Sequence, residues 1–245
     1  MKKLIMANWK MQLTIKESLE LAKQFSKKIK SSKNEVVLCP EYSALPFIGP
    51  IVKSTKLFLG AQDSGAFSQG AYTGEVSPRN LKVLGVKYVI LGHSERREHV
   101  QESSAIINNK IKAALENKLI PVLCIGEKLT DREAGKAKSY LSTELRQALK
   151  DVKIKSASEL VVAYEPVWAI STNKNAKPII PAEADEIQKF IKLQVQKILH
   201  KSVRVLYGGS AKADNSAEFL KQKNIDGLLV GGASLKIDEF LKMVN

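Results

Sequence analysis

The chain has 245 residues, of which 44% are hydrophobic, and its 39 Lys and Arg against 25 Asp and Glu give a formal net charge of +14. The length suits an α/β barrel that forms one domain. No run approaches the ~18 apolar residues of a membrane span, and the apolar start of the chain meets polar residues too early for a secretory leader. We therefore expect a cytoplasmic protein with no membrane partner. The lysines occur singly on helical stretches with acidic residues between them, which indicates solvated helix faces and argues against a nucleic-acid partner.

Short apolar runs rich in Val, Ile and Leu alternate along the chain with longer amphipathic stretches. Such alternation is typical of βα units whose parallel sheet is buried on both faces. Eight strand–helix units in about 250 residues are expected of a (β/α)8 barrel. We therefore predict an α/β fold of this type, as a single domain over residues 1–245. The predicted strands span residues 4–7, 36–39, 57–61, 88–91, 120–125, 160–164, 204–207 and 227–230.

Apolar positions with a three-to-four spacing predict amphipathic helices between the strands. The clearest of them span residues 15–29, 103–117, 134–148 and 182–200. The segment 63–78 lacks this periodicity and contains three glycines, which predicts a protruding loop with a functional or interfacial role. An open doubly wound sheet is the alternative fold, but it requires a glycine-rich turn after the first strand, where this chain has Asn8-Trp9-Lys10.

The two cysteines, Cys39 and Cys124, each lie at the end of an apolar run and belong to no CxxC motif or Cys/His cluster. A disulfide or a zinc site therefore has little support, and two buried thiols are expected instead. We predict no metal and no cofactor.

The functional groups of a parallel barrel lie just after the carboxyl ends of its strands, which meet at one rim. Polar or glycine-rich residues stand at five of these positions in this chain. They are Asn8 and Lys10 after the first strand, His93 and Glu95 after the fourth, Glu165 after the sixth, Gly208, Gly209 and Ser210 after the seventh, and Gly231 and Gly232 after the eighth.

The segment Ala163-Tyr164-Glu165-Pro166-Val167-Trp168-Ala169-Ile170 is the most informative part of the chain. An apolar strand delivers Glu165 to the rim, and Pro166 cannot continue a central strand because it lacks a backbone N–H. A carboxylate in a dry site can remove a weakly acidic proton when its pKa is tuned toward the working pH. The polar stretch 171–176 that follows is long enough to move over such a site.

In this order and over the whole chain, the strand ends resemble the triosephosphate isomerase family. The resemblance implies an isomerase that interconverts dihydroxyacetone phosphate and D-glyceraldehyde 3-phosphate through an enediolate. Glu165 would be the base, and His93, Lys10 and Asn8 would stabilise the developing oxyanion. His93 would act as a neutral donor beside a helix N-terminus, and Glu95 would hold Lys10 in place.

The resemblance also implies how the substrate phosphate is bound and covered. Backbone N–H groups of Ser210, Gly231 and Gly232 would bind it, and Ser171 of the lid would join on closure. The lid and its hydrophobic clamp would comprise Pro166, Trp168, Ile170, Ala176, Tyr207 and Leu229.

The lid departs from the family at three positions. Ser171 and Asn173 stand where the family usually has glycines, and Asn175 stands where it usually has threonine. Asn tolerates the left-handed conformation better than most residues, so we expect Asn173 to adopt it. These differences concern the rate of lid motion and leave the reaction type unchanged.

Three further positions have implied structural roles. Thr73 resembles the tip of the loop that reaches into a second subunit near Asn8 and Lys10, which implies a homodimer. Cys124 resembles a position that packs behind the base. Arg96 and Arg97 are predicted to form ion pairs at a helix start rather than to bind substrate.

Two other functions remain open on the residues alone. A phosphate-sugar lyase or aldolase would use Lys10 as the amine of a Schiff base. A non-catalytic barrel that binds polyanions would account for the positive charge, but such a barrel would not need a base, an electrophile and phosphate-binding turns together.

Overall fold

The computed structural model describes residues 2–30, 32–169 and 179–244. These residues form eight strands, and every predicted strand is confirmed with its ends within two residues of the prediction. Their bounds are β1 Leu4–Asn8, β2 Glu35–Cys39, β3 Phe58–Ala61, β4 Val86–Leu91, β5 Ile120–Ile125, β6 Val161–Tyr164, β7 Arg204–Tyr207 and β8 Gly227–Val230.

The strands form a closed parallel barrel in chain order. Each strand pairs with the next, and β8 pairs with β1 through the register Leu4 to Gly227, which closes the sheet. Closure leaves no strand edge exposed. The predicted (β/α)8 fold is therefore confirmed, the open doubly wound sheet is excluded, and all eight carboxyl ends share one rim.

Ten α-helices surround the barrel within the described ranges. Their bounds are α1 Ile15–Lys28, α2 Leu45–Lys53, α3 Pro78–Val83, α4 Ser94–His99, α5 Ser104–Glu116, α6 Leu129–Glu133, α7 Ala137–Ala148, α8 Pro181–Leu199, α9 Ser216–Lys221 and α10 Ile237–Val244.

The helix predicted over residues 134–148 is wrong at its start. Gly135 has φ +69, a left-handed conformation that cannot continue a right-handed helix. The chain therefore ends α6 at Glu133 and begins α7 at Ala137. The helix predicted over residues 182–200 is confirmed, except that His200 leaves it with φ +53 as a left-handed cap.

The core has two layers that follow the alternation of the strands. A small cluster inside the barrel contains side chains such as Met6, Tyr88, Ile90, Cys124 and Leu229. A larger layer lies between the outer faces of the strands and the helices. Both cysteines are free and buried, as expected. Because both faces of the strands are buried, the sheet is a rigid frame for groups that project from its rim.

The predicted loop is confirmed over residues 63–77, and Pro78 begins α3. Its ends are held together, since the Gly65 N–H donates to the Val76 carbonyl at 2.7 Å. No helix in the described part of the chain is long and apolar enough to cross a membrane.

Candidate active site

Glu165 lies at the end of β6, where its backbone N–H donates to the Ile125 carbonyl at 2.8 Å. Only 2% of the residue is exposed. Its Oε1 is 3.2 Å from Nε2 of His93, and its Oε2 accepts a hydrogen bond from the Ser94 N–H at 3.0 Å. The structure thus brings together the carboxylate and the imidazole that were predicted from their positions just after the carboxyl ends of strands, a criterion called the strand-end rule below.

The backbone around Glu165 is packed so closely that it requires glycine at two neighbouring positions. A Cβ at Gly126 would lie 1.7 Å from the Glu165 carbonyl oxygen, and a Cβ at Gly208 would lie 2.8 Å from its Cγ. Cys124 is buried below it, where burial and the Glu165 charge raise the pKa of the thiol well above its usual value. Glu165 is therefore held in place by close contacts with the residues that follow β5 and β7 as well as by its own strand.

His93 is the N-cap of α4. Its Nδ1 accepts a hydrogen bond from the Glu95 N–H at 3.3 Å. A nitrogen that accepts a hydrogen bond carries no proton, so the proton of the neutral ring lies on Nε2. The ring therefore presents an N–H donor to the mouth of the barrel.

Lys10 follows β1 in a left-handed conformation, with φ +53. Its backbone is held by two side chains, since its N–H donates to Oδ1 of Asn8 at 3.2 Å and its carbonyl accepts from Nε2 of Gln62 at 2.9 Å. Its ammonium group forms an ion pair with Glu95. A strained backbone held by neighbours is common at functional sites, and here it points the ammonium into the mouth of the barrel.

Gly231 and Gly232 follow β8 at the same rim. A Cβ at Gly231 would approach Cε of Lys10 at 3.5 Å, whereas a Cβ at Gly232 would meet no atom within 4 Å. These glycines and Ser210 line a cavity of about 310 Å³, whose charged lining residues are Lys212, Lys236 and Glu239. The cavity is large enough to admit a small anion, and its two lysines outnumber its one carboxylate.

Ser210 is already engaged in this structure. Its N–H and its hydroxyl group both donate to the carbonyl oxygen of Ala169, at 3.2 and 2.7 Å. The backbone donor that the sequence predicts for a phosphate is therefore directed at Ala169, just before the predicted lid, and this hydrogen bond has to break before the Ser210 N–H can bind an anion.

The segment before the predicted lid is anchored by Glu127, a residue that the sequence alone did not single out. This fully buried carboxylate accepts hydrogen bonds from the Tyr164 hydroxyl and from Nε1 of Trp168, both at 3.0 Å. Arg132 packs its guanidinium over the Trp168 ring, 4.6 Å from the centroid. Glu127 follows β5, so the strand-end rule could have found it.

Of the other predicted lid residues, Pro166 is buried beside Glu165 and its carbonyl accepts from the Ala169 N–H at 2.8 Å. Tyr207 is buried and stacks on Phe219 with centroids 4.1 Å apart. Leu229 belongs to the inner barrel cluster. The predictions for Ile170, Ser171, Asn173, Asn175 and Ala176 lie outside the described residues.

The predicted helix-start ion pairs are present. Arg96 pairs with Asp63 at 2.9 Å, and Arg97 pairs with Glu144 at 3.1 Å. Asp63 is buried, and this burial raises the pKa of its carboxyl to about 6 although Lys110 and Arg96 oppose the shift.

Comparison with known proteins gives one consistent result. The family model described as "Triosephosphate isomerase" matches residues 3–245. Triosephosphate isomerase of Caldanaerobacter subterraneus subsp. tengcongensis is 43% identical, with 99% of this chain and 98% of the relative covered. That of Clostridium tetani is 42% identical, with 100% and 96% covered. The crystal structure of triosephosphate isomerase from Bartonella henselae superposes with a TM-score of 0.89 at 34% identity, covering 99% of this chain and 98% of that one.

Proposed function

The chain belongs to the triosephosphate isomerase family and is an aldose–ketose isomerase of triose phosphates, and we propose that Glu165 is the base that moves the proton. The observation that carries this proposal is the 3.2 Å separation of Glu165 Oε1 from His93 Nε2. Because the two groups lie side by side at the rim, a substrate bound over them would have its C–H within reach of the carboxylate and its carbonyl oxygen within reach of the imidazole N–H, which then turns from Glu165 to the substrate.

The reaction proceeds by proton transfer through an enediolate. Glu165 removes a proton from the carbon beside the carbonyl of dihydroxyacetone phosphate and returns it to the former carbonyl carbon. A second proton passes from the hydroxyl oxygen of the first carbon to the former carbonyl oxygen, and the two transfers together give D-glyceraldehyde 3-phosphate. Negative charge develops on the substrate oxygens, and preorganised donors at such a position usually supply the largest share of catalysis. His93, Lys10 and Asn8 are the donors, and Glu95 holds the Lys10 ammonium.

The phosphate binds at the glycine turns after β7 and β8. The backbone N–H groups of Ser210, Gly231 and Gly232 supply directional donors without bulk, and Lys212 and Lys236 contribute positive potential at the cavity. Ser171 adds a donor from the lid.

The lid closes over the substrate and excludes water. Pro166 and Trp168 form its rigid beginning, Ile170 and Leu229 clamp the base in an apolar environment, and Ala176 pairs with Tyr207 to hold the closed state. During this motion the Trp168 indole N–H either keeps its hydrogen bond to the Glu127 carboxylate or replaces it by a bond to another acceptor. We also propose that residues 1–245 form one domain and that the enzyme acts in the cytoplasm. It uses no cofactor and binds neither nucleic acid nor a membrane.

The proposed function is tested by a coupled assay of glyceraldehyde 3-phosphate conversion with borohydride present in a parallel sample. We expect isomerisation and no reduced substrate adduct on Lys10. A Schiff base requires a neutral amine, whereas the Lys10 ammonium is held by the Glu95 carboxylate. A trapped adduct on Lys10 would instead support the lyase or aldolase, and salt-sensitive DNA binding without turnover would support the polyanion-binding barrel.

We propose that the enzyme is a homodimer joined through the loop that contains Thr73. The loop exposes Thr73 at its tip, and its aromatic rings Phe67 and Tyr72 stack with centroids 4.3 Å apart while each remains about half exposed. Met11, next to Lys10, is 89% exposed. An exposed apolar residue at the active site and an exposed aromatic loop complement each other across a twofold interface.

Replacing Thr73 by Arg is expected to give monomers, because the added charge would have to be desolvated in the interface. We expect kcat to fall by roughly 10- to 100-fold, since the loop of the partner subunit no longer supports the Lys10 backbone. Sedimentation velocity and the coupled assay measure the two effects. Ser158→Arg adds the same charge at an exposed position before β6, at the opposite end of the barrel, and should remain dimeric and active. A Thr73→Arg protein that remains a fully active dimer would contradict this interface.

A further inference from the structure

Arg97 connects the carboxyl ends of β4 and β5. Its Nε donates to the Gly92 carbonyl at 2.8 Å, and its Nη2 donates to the Cys124 carbonyl at 3.0 Å. The planar guanidinium fixes the directions of both donors at once. One side chain therefore bridges the two strand ends just beyond the last residues of their ladder, Leu91 and Leu123.

Glu144 on α7 completes this connection. It is buried, its Oε1 lies 3.1 Å from Nη1 of Arg97, and its Oε2 accepts from the Gly126 N–H at 3.1 Å. Burial raises the pKa of the Glu144 carboxyl, and the Arg97 charge opposes this shift. Glu144 thus holds the peptide that lies against the backbone of Glu165.

Both strand ends touch the base. Gly92 precedes His93 and Ser94, and the Ser94 N–H binds Glu165 Oε2 at 3.0 Å. Gly126 leaves no room for a Cβ beside the Glu165 carbonyl. A change in the position of either strand end would therefore move the donors of His93 and Ser94 relative to the Glu165 carboxylate.

We propose that Arg97 and Glu144 are positioning residues for the isomerisation. They touch no substrate and act by fixing the distance between the base and the histidine donor. This proposal rests on the proposed role of Glu165 as the base. The sequence predicts only that Arg97 forms an ion pair at a helix start. The present proposal adds that the ion pair between Arg97 and Glu144 affects kcat separately from any effect on folding.

The surroundings of Arg97 allow a test by chemical rescue. Arg97, Glu144 and Glu165 line one cavity of about 760 Å³ that opens to solvent. Truncating Arg97 would leave a guanidinium-sized space beside the Glu144 carboxylate, and a guanidinium ion could enter from solvent. Urea has a similar shape without the charge and serves as the control additive.

For Arg97→Ala we expect kcat to fall by roughly 100-fold, the loss that a displacement near 1 Å can cause, while KM changes little because the phosphate turns belong to β7 and β8. Guanidinium at sub-denaturing concentration should raise kcat of this variant roughly tenfold, by restoring the charge and the donors in place. Urea should not. Arg146→Ala is the matched control, since Arg146 is exposed on α7, the helix that carries Glu144, and bonds only Ser142 and Thr143 among the described residues.

An unchanged kcat in folded Arg97→Ala, or a loss that guanidinium does not relieve, overturns the proposal. If Arg97→Ala does not fold, Arg97→Lys decides the question. Lys keeps the charge but cannot reach both carbonyls, so kcat should fall at an unchanged far-UV spectrum, and wild-type kcat in this variant overturns the proposal. Wild type and Glu165→Asp are assayed beside these variants. If Glu165→Asp retains full activity, the proposed role of Glu165 as the base is wrong. If Glu165→Asp loses activity but the Arg97 variants retain it, Glu165 remains the proposed base and the positioning role of Arg97 is wrong.

Discussion

Replacing Glu165 by Asp is expected to lower kcat by roughly 100-fold or more, because it withdraws the carboxylate by one methylene and misplacement near 1 Å has this effect. The fold should be unaffected, since the shorter side chain keeps its charge and can be accommodated in the same buried site. KM should change much less than kcat, because the proposed phosphate donors after β7 and β8 do not contact the shortened group. The coupled assay of glyceraldehyde 3-phosphate conversion measures both constants.

The matched control is Glu186→Asp, which makes the same change at an exposed position of α8. Its kcat should equal that of the wild type. Equal activity in Glu165→Asp and the wild type would refute Glu165 as the base. A loss expressed only in KM would indicate that Glu165 binds substrate without transferring its proton.

The barrel could be predicted from the sequence because its strands are buried on both faces. Continuous runs such as residues 120–125 are visible without any knowledge of tertiary structure. The break between α6 and α7 was missed because Gly135 lies inside a stretch whose apolar spacing suits a helix throughout. Only its backbone conformation, φ +69, reveals that the chain turns there.

The strand-end rule found Lys10, His93 and Glu165 because the chemistry of each is unusual at the end of an apolar run. It missed the contacts that hold them. Arg97 bonds the Cys124 carbonyl and Glu144 bonds the Gly126 N–H, and a bond from a side chain to a distant backbone group leaves no local pattern. The close approach of Gly126 to Glu165 was also invisible, because a glycine needed for space cannot be distinguished in sequence from a glycine in a turn.

The close approach at Gly126 leads to the second large expected effect. Gly126→Ala would place a Cβ 1.7 Å from the Glu165 carbonyl oxygen, a distance at which the backbone itself has to move. We expect kcat to fall by roughly 100-fold or more, since the displaced backbone carries the proposed base. Overpacking of this kind also costs about 1–3 kcal/mol of the free energy of unfolding, which corresponds to a Tm lower by about 2–4 °C per kcal/mol for a chain of this size.

A control is needed that loses stability without disturbing the base, and Gly135→Ala provides it. Gly135 has φ +69, and a Cβ there would meet no atom within 4 Å, so the substitution strains the backbone by about 1–2 kcal/mol without touching Glu165. Its Tm should fall to a similar degree while its kcat stays at the wild-type value. Calorimetry and the coupled assay on the two variants separate stability from placement. If both variants lose activity only in proportion to their unfolded fraction, the contact between Gly126 and Glu165 does not position the proposed base. If Gly126→Ala is folded but has little activity, the backbone contact after β5 is needed to hold Glu165 in place.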